Sequence, residues 1–306
     1  MNWLISGRSD GAYAQAVHTT AASATTRRSG SGGRLLGLLA ASHPGPSLTV
    51  TVVATVLAAT TGRGLGGTVL TASAVLTGQL SVGWCNDRAD LHRDIATGRR
   101  DKPLTTGTVT PRTVATAALC ALVLCVPLSL AMGPAAGGVH LVAVALAWSY
   151  NLGIKRTPLS WLPYAVAFAL LPAVVTLGLP NHPWPPGWAM AAGALLGIGA
   201  HASNVLPDIE DDLTTGVRGL PQRLGAHRAR LMAAVPLLAA STVLVLGPST
   251  PAGPLEWTGL AVTGALAAAV VLPPRSGARS RLPFTATLLL AVLDVALLVL
   301  RGAALA

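Results

Sequence analysis

Charge is what this chain has least of. Asp, Glu, Lys and Arg together make up 10% of its 306 residues, against roughly 25% in soluble domains. Acids are the scarcer sign, at 11 residues, and aromatic side chains reach only 4%, with two Phe and three Tyr. The three cysteines, Cys85, Cys120 and Cys125, lie in or beside apolar runs without metal-ligand spacing. That spacing implies no disulfide framework and no thiolate metal site, and it leaves buried, inert thiols as the expectation. No stretch between about residue 47 and the C-terminus reads as a soluble block, which argues against a second, water-soluble domain.

What is present instead is apolar. Hydrophobic residues make up 52% of the chain and the mean hydropathy is +0.59, the balance of a multi-spanning membrane protein. A spanning helix needs roughly 20 mostly apolar residues. Nine runs bounded by Pro, Gly or charge fit, at about 43–61, 66–85, 111–132, 136–152, 159–179, 187–206, 228–247, 255–272 and 283–300. Several are built from small residues, as in GWAMAAGALLGIGAHASN, which lets helices approach closely in lipid. The expected fold class is therefore all-α integral membrane, a compact bundle of nine transmembrane helices spanning 34–306. Residues 1–33 are rich in Ser, Thr, Ala, Gly and Arg and run into TTRRSGSGGR. They are expected to form a disordered N-terminal tail.

The net charge of +10 could suit nucleic acid, but the bases sit in short clusters between apolar runs and make no basic face. No nucleic-acid partner is expected, and membrane topology accounts for the clusters better. The tail carries Arg8, Arg27, Arg28 and Arg34. The loops after even-numbered spans carry Arg88, Arg93, Arg99, Arg100, Lys102 and Arg112, then Lys155 and Arg156, then Arg218, Arg223, Arg228 and Arg230, then Arg275, Arg279 and Arg281. Only Arg63 and Arg301 fall on the other side. The positive-inside rule then places the N-terminus in the cytoplasm. A multi-pass protein of the cell (plasma) membrane is expected, with its polar groups towards the cytoplasmic face.

Eight of the 11 acids gather on that same face, in two clusters: Asp87, Asp90, Asp94 and Asp101 after span 2, and Asp208, Glu210, Asp211 and Asp212 after span 6. Positive-inside does not require acids there. If span 2 stays helical to Asp94, then Asn86, Asp90 and Asp94 recur every four residues on one face, with Asp87 beside it. Like charges at that spacing repel, and a helix C-terminus disfavours anions further, so a cation is the natural counterpart. Span 6 repeats the pattern with His201, Asn204, Asp208 and Asp212. All-oxygen ligands suit Mg²⁺, which takes one or two carboxylates, waters and substrate phosphate oxygens. Arg93, Arg99, Lys102, Lys155 and Arg156 supply positive charge for a phosphate on the same face. A soluble phosphate does not need nine spans; a diphosphate on a lipid tail does.

These residues resemble the UbiA superfamily of intramembrane prenyltransferases, whose members carry N-D-x-x-D-x-x-x-D after the second helix and D-x-x-x-D after the sixth. Here the motifs read NDRADLHRD, as Asn86, Asp87, Asp90 and Asp94, and DIEDD, as Asp208 and Asp212 with Asp211 between. The loop TGRRDKPLTTG, with Lys102 where Arg is commoner, the stretch YNLGIKR and the stretch TTGVRGLPQRLG are also similar to the family, and the likeness covers about 40–300. It implies nine helices around a central cavity open laterally to lipid, with Mg²⁺ joining both motifs to an isoprenyl diphosphate. The implied metal ligands are Asp87, Asp90, Asp94, Asp208, Asp211 and Asp212. The implied diphosphate-side residues are Asn86, Arg93, Arg99, Lys102, Lys155, Arg156 and Asn204. The catalytic set would be Asp87, Asp90, Asp208, Asp212, Lys155 and Tyr150, with Tyr150, Trp148 and Phe168 shielding an allylic cation and a small aromatic acceptor capturing it.

Two other functions stay open at this level. A membrane terpene cyclase of the same superfamily would ionise the same diphosphate without an acceptor. A transporter would need acids along a path, yet only Asp294 lies across the bilayer from the clusters, and no motif gives it a role. Trp84, Trp148, Trp161 and Tyr164 are each expected in an interfacial belt ahead of a cavity role, and His201 in a structural hydrogen bond ahead of orienting an acid. Acceptor identity and prenyl chain length are not written in the motifs.

Overall fold

The computed structural model describes residues 31–271, 282–301 and 305. Among the described residues every regular element is a helix: α1 (Ser31–Ala41), α2 (Pro44–Thr60), α3 (Gly64–Ala96), α4 (Pro111–Ala131), α5 (Pro134–Leu152), α6 (Leu162–Thr176), α7 (Gly187–Val205), α8 (Ile209–Thr214), α9 (Leu220–Leu246), α10 (Pro254–Val271) and α11 (Leu282–Leu300), with short 3₁₀ turns at Ile154–Arg156 and Leu206–Asp208. The expected tail lies outside the described residues except for 31–33, which begin α1, and so do Arg8, Arg27, Arg28, Arg275, Arg279 and Arg281.

Prolines set several helix starts. Pro44, Pro111 and Pro134 stand in the first turns of α2, α4 and α5, where a fixed φ helps and a missing N–H costs nothing. Thr110 caps α4 by accepting the Thr113 N–H at 3.1 Å. Consecutive long helices pack side by side, and α11 returns against α2 and α7 to close the bundle. Small residues let the walls meet: a Cβ on Gly193 or Gly197 of α7 would overlap the Phe168 or Tyr164 carbonyl of α6.

All nine expected runs are helical. Among the described residues six helices are long and apolar enough to cross a membrane: α3, α4, α5, α7 with its continuation to Thr214, α9 and α10. The helices α2 and α6 are shorter, at 17 and 15 residues. Three boundaries differ from expectation in ways that matter. Helix α3 runs 33 residues to Ala96, so the first acidic motif occupies its last turns. Helix α7 stops at Val205, before a 3₁₀ turn containing Pro207. The expected unbroken stripe from His201 to Asp212 is therefore divided between α7, the turn and α8. Helix α9 begins at Leu220 and kinks at Gly225, whose φ of 78° and ψ of 165° are not helical.

The two far-side bases are structural. Arg63 donates to the Val174 and Val175 carbonyls at 3.3 and 3.4 Å and to Met132 at 3.4 Å, satisfying carbonyls at the ends of α6 and α4. Arg301 donates to Thr250 Oγ1 at 3.1 Å and lies 3.7 Å from Glu256. Asp294 is fully buried on α11 and accepts the Ser241 hydroxyl of α9. Cys85 and Cys125 are buried as expected, but Cys120 is exposed because its position on α4 faces out of the bundle.

Candidate active site

The last turns of α3 carry the first motif, and the helix buries Asp87, Asp90 and Asp94. Buried carboxylates are costly without partners, and the partners here are the bases that flank the motif. Lys102 Nζ lies 2.5 Å from Asp87 Oδ1, and His43 Nε2 lies 2.8 Å from the same oxygen. Lys155, itself buried in the turn after α5, donates to Asp90 Oδ1. Arg93 donates to Asp90 Oδ2 at 3.0 Å and to Asp212 Oδ1 at 2.9 Å. One guanidinium thus bridges a carboxylate of each motif. Gln222 of α9 completes Asp212 by donating to its other oxygen at 2.8 Å.

Asn86 donates to Asn151 at 2.9 Å, and Asn151 donates to the Val82 carbonyl at 3.1 Å. That pair fixes the start of the motif against α5. At the other end a cleft between the motifs is lined by Arg93, Asp94, Thr97, Arg99, Asp208, Asp211 and Asp212. Arg99 holds Asp101 by two hydrogen bonds of 2.9 Å and lies 3.8 Å from Asp208. The first of these interactions lowers the Asp101 carboxyl to about 2. Burial pulls the Lys155 ammonium below the usual lysine range, against the opposing field of Asp90.

The structure therefore brings Asp87, Asp90, Asp94, Asp208, Asp211, Asp212, Arg93, Arg99, Lys102 and Lys155 to one end of the bundle. Of the other expected residues, Arg156 and Asn204 are exposed, as Asp211 is. His201 bonds to Ser160 Oγ at 3.1 Å, and no acid accepts from it. Tyr150 sits beneath the carboxylates in an aromatic cluster, with ring centroids 5.1 Å from Tyr164 and 5.6 Å from His201; Phe168 stacks on Tyr164 at 6.3 Å. Tyr164 thus faces the interior and is no belt residue. Trp148 donates to Ser81 at 3.2 Å and Trp84 to the Leu38 carbonyl at 2.8 Å. Both indoles join helices inside the bundle.

Sequence reasoning passed over His43, Asn151 and Gln222. Asn151 and Gln222 lie within YNLGIKR and TTGVRGLPQRLG, where a buried amide next to a motif base was a usable signal. His43 had none.

The donor set fits a hard divalent cation. Asp87 Oδ2 is buried and has no hydrogen-bond partner among the described residues, an orphan lone pair of the kind a metal satisfies. Among the described residues no group of three His, Cys, Asp or Glu side chains stands close enough together to hold a metal ion by itself; Mg²⁺ binds through one or two carboxylates plus waters and phosphate oxygens.

The UbiA prenyltransferase family's sequence model matches residues 47–300. Among curated proteins, none matches the chain. Among solved structures, the chain is similar to a UbiA homologue from Archaeoglobus fulgidus bound to GPP and Mg²⁺, at 16% identity with a TM-score of 0.62 over 87% of this chain and 99% of that one. A structure of digeranylgeranylglyceryl phosphate synthase in membranes is similar at 14% identity, with a TM-score of 0.60 over 89% and 99% of the two chains. A UbiA homologue from Archaeoglobus fulgidus bound to DMAPP and Mg²⁺ is similar at 14% identity and a TM-score of 0.61, over 88% and 99%. At these identities the structural likeness speaks to the fold.

Proposed function

The chain belongs to the UbiA prenyltransferase family, and on that premise we propose that it is a Mg²⁺-dependent enzyme that transfers an isoprenyl group from an isoprenyl diphosphate to a small aromatic acceptor within the membrane. The observation that carries this reading is the Arg93 bridge. Two acidic motifs on different helices converge on one guanidinium beside buried Lys155. Solved relatives of the same fold bind GPP or DMAPP with Mg²⁺. A nine-span arrangement with the N-terminus and the polar site cytoplasmic completes the proposal.

Asp87, Asp90 and Asp94 from the first motif and Asp208, Asp211 and Asp212 from the second would hold the metal. Bound there, Mg²⁺ supplies charge neutralisation on the diphosphate. The chain's own residues do the rest. Lys155, Arg93 and Lys102 offset the negative charge that grows on the diphosphate as the C1–O bond breaks and its electron pair departs. Asn86, anchored by Asn151, offers its second amide N–H to a diphosphate oxygen. The faces of Tyr150, Tyr164 and Phe168 stabilise the allylic cation left behind, each contact contributing roughly 0.5–2 kcal/mol. The apolar helices around them keep water from the cation. An electron-rich ring carbon then forms the new C–C bond, and the ring proton restores aromaticity by leaving.

The alternative, a UbiA-type terpene cyclase, shares every step to the cation. Membranes containing the protein, incubated with geranylgeranyl diphosphate and Mg²⁺ and no acceptor, separate the two. The transferase reading expects prenylated product only when an aromatic acceptor is added. A hydrocarbon or cyclic alcohol formed from the diphosphate alone would assign the cyclase.

A further inference from the structure

The family match begins at residue 47, yet one side chain in the carboxylate network lies upstream of it. His43 occupies the elbow between α1 and α2 in a left-handed conformation, with φ of 53° and ψ of 63°. Such a backbone is uncommon outside glycine, and here docking holds it. The Ser42 carbonyl lies over Gly83 of α3, where a Cβ would overlap it, and also accepts the Ser47 hydroxyl at 2.9 Å. Trp84, the next residue on α3, pins α1 by its bond to the Leu38 carbonyl. The elbow is thereby fixed one helical turn before Asp87.

From that seat His43 Nε2 reaches Asp87 Oδ1 at 2.8 Å, beside Lys102 Nζ at 2.5 Å. An ionised carboxylate only accepts, so in the contact with Asp87 Nε2 is the donor; the Lys102 ammonium also lies 3.3 Å from that nitrogen. The two donors converge on one oxygen, while Asp87 Oδ2 is buried without a partner among the described residues. Carboxylates that hold a metal are oriented in this way by outer hydrogen bonds. We infer that His43 is a positioning residue of the diphosphate site: with Lys102 it holds Oδ1 of Asp87 so that Oδ2 is presented to the divalent cation, and the α1–α2 elbow is part of the site. The inference rests on the function proposed above.

Binding of a non-ionising analogue tests it. The full-length protein in detergent is titrated calorimetrically with geranyl S-thiolodiphosphate in Mg²⁺, for the wild type, His43→Ala and His43→Gln, with thermal unfolding recorded for each. Loss of an outer-shell partner weakens metal-dependent affinity about 10–100-fold, so His43→Ala should bind at least tenfold more weakly. His43→Gln places an amide N–H near the position of Nε2 and should recover most of that loss. Wild-type affinity in His43→Ala would overturn the inference. So would a His43→Gln variant as weak as His43→Ala, because the loss would then come from packing. If the wild type binds no analogue, the proposed function itself fails, an outcome distinct from either.

Discussion

Burial separates Lys155 from Arg156, though the two are neighbours in sequence. Lys155 lies under Asp90 while Arg156 is exposed. Removing one partner of a buried ion pair leaves an uncompensated charge, at a cost of roughly 3–5 kcal/mol. Lys155→Met should therefore lower kcat by more than about a hundredfold and also lower the unfolding midpoint, whereas Arg156→Ala should cost less than about tenfold in kcat/KM. Steady-state kinetics of both variants with geranylgeranyl diphosphate checks this; equal losses would remove Lys155 from its assigned role. Gln222 is a subtler case, since its amide holds Asp212 from a distance of ten residues. Gln222→Ala withdraws a hydrogen bond to a charged group, a loss of roughly 1.5–3 kcal/mol, and should raise the Mg²⁺ concentration needed for half-maximal rate. The charged members of this network were legible in the sequence because acids and bases stand out in so apolar a chain. Asn151, Gln222 and His43 were passed over because their partners come from distant segments; the two amides at least lie in stretches that resemble the family, whereas His43 lies in none of them.

At the scale of elements, α3 and α7 do most to place the site. Placing Asn86, Asp90 and Asp94 on one face infers a helix unbroken past residue 85 to Asp94, and α3 provides it. The same inference failed for the second motif. Pro207 lacks an N–H and interrupts the ladder, so Asp208 sits in a turn and Asp212 on the separate helix α8. Spacing alone carried no sign that Asp212 would be buried while Asp211 stayed exposed. The contact of α7 with α6 depends on Gly193 and Gly197, which face backbone carbonyls with no room for a Cβ. Gly197→Leu should force the two helices apart and scatter the cluster of Tyr150, Tyr164 and His201. Overpacking of this kind costs about 1–3 kcal/mol or more, so the thermal midpoint in detergent should fall by several degrees. An unchanged midpoint would mean that the helix contact is looser than drawn here.

At the scale of the whole molecule, the distribution of charge is asymmetric. Most of the described acids and bases collect at one end, while Arg63 and Arg301 cap carbonyls and an acid at the other. Hydropathy located all nine helical runs, since a lipid-facing helix must be apolar over its full length. Among the described residues six of these helices are long and apolar enough to cross a membrane. Orientation is open to direct test. In a variant with Cys85, Cys120 and Cys125 replaced, Thr106→Cys in the basic loop after α3 should react with an impermeant maleimide only when the cytoplasmic face is accessible. Labelling from outside intact cells would reverse the topology proposed for the site.

The central claim is that the two acidic motifs act together to ionise a lipid diphosphate. Its most direct test is release of inorganic diphosphate from geranylgeranyl diphosphate by the purified protein in lipid nanodiscs, with a small aromatic acceptor present. Mg²⁺-dependent release by the wild type, abolished by chelation and lost in both Asp87→Ala and Asp208→Ala, is the predicted result. Release that persists undiminished in both variants would contradict the account.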